Sequence, residues 1–311
     1  MASAPLRIAA VKVGYACNNN CRHCVVAHHR QRGVPDRTLA ELRKELAEAA
    51  ANGATLAIIT GGEPTIRDDI IDVLRAAKDL GLSVLLQTNG RMLAYPDLAK
   101  SVAELVDEVE VAVHGDTAAL HDAITCAPGG FEQTMGGIRN LVEAGARVLT
   151  NTVITRLNAD RLSAIARVLV AAGVHQVQFA NVHPDGNALD DAEAVVPRLS
   201  ELARPLAEAI DVVEGAGRTA YYEAVPFCAV PGREANAIEL HLPAEVELRE
   251  PGYESRDFLP ERRSGKVKGP RCSECTLEPR CEGVWNEYAR LYGTDELRPV
   301  RRQVRLPGDR S

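Results

Sequence analysis

The strongest constraint on this chain is a repeating alternation. Between residues 8 and 180, six short β-branched runs alternate with longer stretches of helical period: Ile8–Val13, Leu56–Thr60, Ser83–Gln87, Val109–Val113, Val148–Ile154 and Val177–Ala180. In the segment Thr38–Asn52, Leu39, Leu42, Leu46 and Ala50 recur every three or four residues and line one helical face. Gly53, Gly81, Gly145 and Gly173 each stand shortly before the next run, where a left-handed residue ends a helix without a Cβ penalty. Strands separated by helices cannot pair as hairpins, so the repeat predicts a parallel α/β sheet with right-handed crossovers. Spacing alone leaves an open doubly wound sheet and a barrel both possible. In either, ligands gather beyond the carboxyl ends of the strands.

The rhythm stops near residue 215. A helix is expected over Val195–Val213, and the stretch Gly215–Gly269 is rich in Pro, Gly, Arg and Glu. The expected organisation is therefore a main domain over residues 1–214 and a small loop-rich module over 215–311, with the tail from Leu297 exposed. Such a module has little core of its own, and a metal cluster would staple it. Of the 311 residues, 46% are hydrophobic and 25% charged, with a net charge of -7, which suits a folded chain. That balance gives no basic field for nucleic acid or an anionic membrane, and it tolerates a cationic substrate. No apolar run approaches the ~20 residues that span a bilayer. No basic region followed by an apolar stretch opens the chain, so a cytoplasmic location is expected, where thiols stay reduced.

Eight cysteines in such a setting read as metal ligands. They fall into an early trio (Cys17, Cys21, Cys24), a late quartet (Cys228, Cys272, Cys275, Cys281) and a lone Cys126. The trio follows the first strand as Cys17-Asn-Asn-Asn-Cys21-Arg-His-Cys24. Three thiolates hold three corners of a cubane iron–sulfur cluster and leave the fourth iron to an outside chelator. The competing reading is a zinc site completed by His23, His28 or His29. The second strand ends in Gly61-Gly62-Glu63-Pro64, in which two glycines allow close backbone approach.

With Cys17, Cys21 and Cys24 after the first strand and Gly61, Gly62 and Glu63 after the second, the chain resembles the radical S-adenosylmethionine (SAM) superfamily. The segments Gln87–Gly90, Ala112–Gly115 and Asn151–Val153 also look like the corresponding family segments, and the resemblance covers roughly residues 8–190. It implies a partial (β/α)6 TIM-like barrel. The catalytic [4Fe-4S] cluster would chelate SAM, and an external one-electron reductant such as flavodoxin or ferredoxin would feed it. By the same resemblance His23 lies near the adenine, Gly61, Gly62 and Glu63 bind the methionyl amine, Asn151 touches the ribose, and His114 faces substrate.

Cys272, Cys275 and Cys281 form C-x₂-C-x₅-C, which resembles the C-terminal half of the auxiliary-cluster modules called SPASM and twitch. Cys228 would complete a one-cluster, twitch-type site holding a second [4Fe-4S]; a zinc knuckle uses the same set. Cys126 lies after the fourth strand, where by the same resemblance many relatives carry glycine. A thiol there could donate a hydrogen atom to a substrate radical, or be incidental packing. The expected activity is reductive cleavage of SAM to a 5′-deoxyadenosyl radical, which takes hydrogen from a small molecule (a sugar, aminocyclitol or nucleoside) and epimerises or dehydrogenates it. The alternatives are a maturase of a ribosomally made peptide and a non-enzymatic zinc-binding scaffold. Peptide maturases often carry an N-terminal recognition domain, for which a first strand at residue 8 leaves no room.

Overall fold

A computed structural model describes residues 6–243 and 245–308. Seven strands run parallel in sequence order: β1 (Ile8–Lys12), β2 (Leu56–Thr60), β3 (Ser83–Thr88), β4 (Glu108–Ala112), β5 (Val148–Ile154), β6 (Gln176–Asn181) and β7 (Thr219–Glu223). Between β1 and β2 lie α1 (Ala27–Gln31) and α2 (Leu39–Ala51). Next come α3 (Ile70–Asp79), α4 (Pro96–Ala103), then α5 (Ala118–Thr125) with α6 (Gly130–Glu143), and α7 (Leu162–Ala171), each set closing one crossover. The last crossover holds α8 (Asn187–Asp190), α9 (Ala192–Val195) and α10 (Leu199–Gly215). All six expected strands are present, and the four glycines named above have positive φ. Together they form the expected partial TIM-like barrel.

Burial along β1, β2 and β4 alternates residue by residue. Ala9, Val11, Ala57, Ile59, Val109 and Val111 are fully buried in one core with Leu42, Leu46, Val73 and Leu74 of the helices. Burying each larger side chain contributes about 1.5–3 kcal/mol. The other face, carrying Lys12, Thr60, Glu110 and Ala112, is only half-buried and looks inward. An enclosed face that is polar and incompletely filled is a cavity rather than a core.

The C-terminal part is more entangled with the sheet than the expected boundary at 214 allows. β7 pairs with β6, and β8 (Val246–Arg249) pairs parallel with the far side of β1, flanked by antiparallel β9 (Arg256–Asp257). Arg249, 3% exposed, anchors β8 by donating to Glu45 of α2 at 2.7 Å and to Glu247 at 2.7 Å. Beyond lie α11 (Phe258–Ser264), the antiparallel pair β10 (Lys266–Val267) and β11 (Val284–Trp285), and α12 (Asn286–Tyr292). The tail is docked rather than loose as expected. Leu297 and Leu306 are buried, and Thr276 donates its backbone N–H to Val300 O at 2.8 Å.

Candidate active site

The cysteine loop is irregular, and its backbone groups are met from several sides. Tyr15 and Ala16 donate to Asp36 Oδ1 at 2.6 and 3.2 Å. Asn20 and Arg22 donate to the carbonyls of Thr125 and Ile124 at 3.0 and 2.9 Å. The Arg91 guanidinium reaches Asn18 O and, at 2.8 Å, Asn19 Oδ1. Asn187 Nδ2 donates to Cys21 O at 2.8 Å. Asp36, Arg91 and Asn187 were not singled out from sequence; only their loops' positions beyond strand ends hint at them.

Cys17, Cys21 and Cys24 are all free thiols lining one cavity of about 420 Å³. Burial pushes the Cys17 and Cys21 thiols up, and the negative charge of neighbouring thiolates adds to the shift in each. Thiolates gathered in this way call for a cation among them. Among the described residues no three His, Cys, Asp or Glu side chains close around a single metal ion. Moreover, His29 stacks on Tyr15 at 4.7 Å and His28 pairs with Asp190 at 3.3 Å, so neither joins the trio. The donor set fits an iron–sulfur cluster, whose several irons separate the sulfurs, better than zinc.

Gly61 and Gly62 close the turn against the chain's own backbone. A Cβ on Gly62 would stand 2.1 Å from Ala16 O, and one on Gly61, at φ +136°, 2.5 Å from Gly14 O. This contact lets Gly62 and Glu63 donate N–H to Gly14 O and Ala16 O at 2.9 and 2.8 Å. Glu63, 2% exposed, turns its carboxylate inward. Oε1 accepts from Thr65 N, Thr65 Oγ1 and Thr88 Oγ1 at 3.0, 2.5 and 2.6 Å, and Oε2 accepts from Asn89 N at 2.6 Å. Burial raises its pKa and these donors oppose the rise. Asn89 then donates to Asn18 Oδ1 at 2.6 Å, linking the third strand's end to the cysteine loop.

On the opposite wall, His23 lies edge-on to His114 at 4.4 Å, and His114 stacks with His121 at 5.9 Å. Burial keeps all three rings neutral, with His23 and His121 pushed down to about 4. Val153 N donates to His114 Nδ1 at 3.2 Å, which leaves the proton on Nε2. Asn151 Oδ1 and His23 Nδ1 are buried without a protein partner among the described residues, as expected of atoms that await a ligand. His183 and Trp285 also line the cavity and stack at 3.8 Å. As the chain's sole tryptophan, Trp285 was the one available signal for this part of the wall.

Cys228, Cys272, Cys275 and Cys281 line a second, smaller pocket together with Phe227, Leu277 and Leu297. Burial, with the other three thiols adding, pushes Cys228 up to about 11. Val300 N donates to Cys275 Sγ at 3.3 Å. All four cysteines therefore line one pocket, Cys228 included. Cys126 stands beside the early trio, near enough for its charge to be felt at Cys21. It caps α5 at φ +51°, ψ +41°, is exposed, and lies outside the residues lining the cavity.

A family model described as the radical SAM superfamily matches residues 11–191. An AdoMet-dependent heme synthase of Methanosarcina barkeri is 30% identical over 63% of this chain and 56% of its own length. A PqqA peptide cyclase of Rhodopseudomonas palustris is 26% identical over 62% and 51%. The chain thus spans about half the length of the curated relatives it matches. Streptococcus suis SuiB bound to S-adenosylmethionine superposes with TM-score 0.65 and 17% identity, over 96% of this chain and 77% of that one. SuiB bound to its precursor peptide SuiA gives 0.66 and 16%, over 96% and 75%.

Proposed function

The chain belongs to the radical SAM superfamily, and we propose that it takes a hydrogen atom from a small molecule and epimerises or dehydrogenates it. A [4Fe-4S] cluster and SAM, once reduced by one electron from a flavodoxin or ferredoxin, supply a 5′-deoxyadenosyl radical for that step. Cys17, Cys21 and Cys24 hold three irons of this cluster. Gly61, Gly62 and Glu63 receive the methionyl amine through the turn's carbonyl oxygens, because four donors already occupy the Glu63 carboxylate. His23 offers a neutral flat ring to the adenine, and Asn151 an unused oxygen to the ribose. His114 presents its Nε2–H to substrate. Cys228, Cys272, Cys275 and Cys281 hold a second [4Fe-4S] cluster; four thiolates fill its corners, which suits electron transfer or support rather than substrate ligation.

The observation that carries this reading is the shared cavity: trio, glycine–glutamate turn, His23, His114 and Asn151 all line it. The likeness to SuiB and to PqqA peptide cyclase supports a second reading, modification of a peptide side chain. Anaerobic reconstitution should load about eight irons per chain, and reduction in the presence of SAM should release 5′-deoxyadenosine. Cys17→Ser should keep about half of the iron and release none. Zinc with little iron in the wild type would overturn both clusters.

A further inference from the structure

Two carboxylates on the cavity wall have no role in the scheme above. Glu110 lies two residues inside the end of β4, roughly 7 Å below its rim, and Glu223 is the last residue of β7, three strands away. Both line the cavity. Among the described residues, the one hydrogen bond to the Glu110 carboxylate comes from Gln87 Nε2, at 3.0 Å. Glu223 accepts from Gln178 Nε2 at 2.9 Å and faces Arg262 at 3.3 Å. That guanidinium is shared with Glu239 at 2.5 Å and Glu282 at 3.3 Å, so it neutralises Glu223 only in part. Lys12, also on the wall, is paired with Glu250.

Asn181, at the end of β6, supplies an independent observation. It is 6% exposed and lines the same cavity, yet its Oδ1 is buried with no partner among the described residues. A buried acceptor left unmet costs about 1–3 kcal/mol. Next to Glu223, buried Ala224 is held at φ +57°, a strained conformation of the kind that collects at ligand sites. This part of the wall therefore offers two carboxylates and one amide oxygen; the cations felt at Glu223, Arg262 and Lys266, are both shared with Glu282, and among the described residues none is bonded to Glu110.

Resting on the radical SAM reading, we propose that Glu110, Glu223 and Asn181 receive a primary ammonium group of the substrate, as three acceptors converging on one N–H₃⁺. The substrate class narrows to hydroxylated amines, with a lysine side chain of a peptide as the other source of the same group. Burial and the charge of Glu223 lift the Glu110 carboxyl to about 7, and a bound ammonium would bring it down.

Anaerobic calorimetry on the reconstituted, SAM-loaded enzyme tests this with three probes: trans-4-aminocyclohexanol, cyclohexane-1,4-diol and Nα-acetyl-lysine methylamide. The amino alcohol should bind at least tenfold more tightly than the diol, and E110Q and E223Q should each erase that preference. Tightest binding by the lysine derivative would uphold the ammonium site and assign it to a peptide. Equal or absent binding of amino alcohol and diol overturns the proposal, as does an E110Q or E223Q enzyme whose loss is confined to SAM affinity. Release of 5′-deoxyadenosine by the same wild-type preparation separates the two levels. If it occurs while the probes bind alike, only the ammonium site falls.

Discussion

At the scale of single residues, the site depends on where a Cβ is allowed. Gly62 has none to spare, because a methyl group there would meet Ala16 O at 2.1 Å and force β2's exit turn away from the cysteine loop. Gly62→Ala should cost about 2–3 kcal/mol and lower the iron retained by the early trio by at least half. Denaturant unfolding and iron analysis read the two effects separately. Cys126 is the opposite case, an L-residue at a left-handed helix end where glycine is at ease. Cys126→Gly should leave release of 5′-deoxyadenosine unchanged and raise stability by about 1 kcal/mol. Product formation lost in that variant, with SAM cleavage intact, would return the thiol to the mechanism.

At the scale of elements, the six strands of the first half were legible because helix-facing Val, Ile, Leu and Ala alternate with residues of the concave face, and glycines mark the helix ends. β7 and β8 were not. Their sequences, Thr-Ala-Tyr-Tyr-Glu and Val-Glu-Leu-Arg, place charge where a buried strand seldom has it. The charges are answered only in three dimensions, Glu223 in part by Gln178 and Arg262, and Arg249 by Glu45 and Glu247. The grouping of the cysteines was legible from spacing, whereas Glu110 was not: a lone acid in a strand looks like a solvent-facing residue until the sheet curls around it. The C-terminal tail is docked against expectation for a related reason: its two buried leucines lie among arginines and prolines. That tail now predicts something specific. It carries Val300, whose N–H meets Cys275 Sγ and whose carbonyl holds Thr276. Truncation after Arg298 should lower the iron content from about eight toward four per chain, while SAM cleavage at the early trio persists; metal analysis beside 5′-deoxyadenosine release checks it.

For the whole molecule, the interior charges set a dependence of stability on pH in which two groups of residues pull in opposite directions. Burial depresses His23, His114 and His121, so the unfolded chain binds more protons than the folded one. Their contribution to stability is full above the ordinary histidine range and is lost as pH falls through it, down to about 4 for His23 and His121. Glu110 has the reverse sign. Its carboxyl is raised from 4.5 to about 7, so between those values the folded chain holds the extra proton and stability declines as pH rises. The windows overlap below about 6.5 but separate above it, where the histidines are neutral in both states. Between pH 6 and 8 the wild type should therefore lose on the order of 1 kcal/mol relative to Glu110→Gln, measured by anaerobic urea unfolding of the two holoproteins. Saturating trans-4-aminocyclohexanol should flatten that difference, because an ammonium beside Glu110 stabilises the charged carboxylate at both pH values. A wild-type curve parallel to that of the variant from pH 6 to 8 would mean that water inside the cavity solvates Glu110 as well as bulk water does, and that its charge is free to answer no ligand in particular.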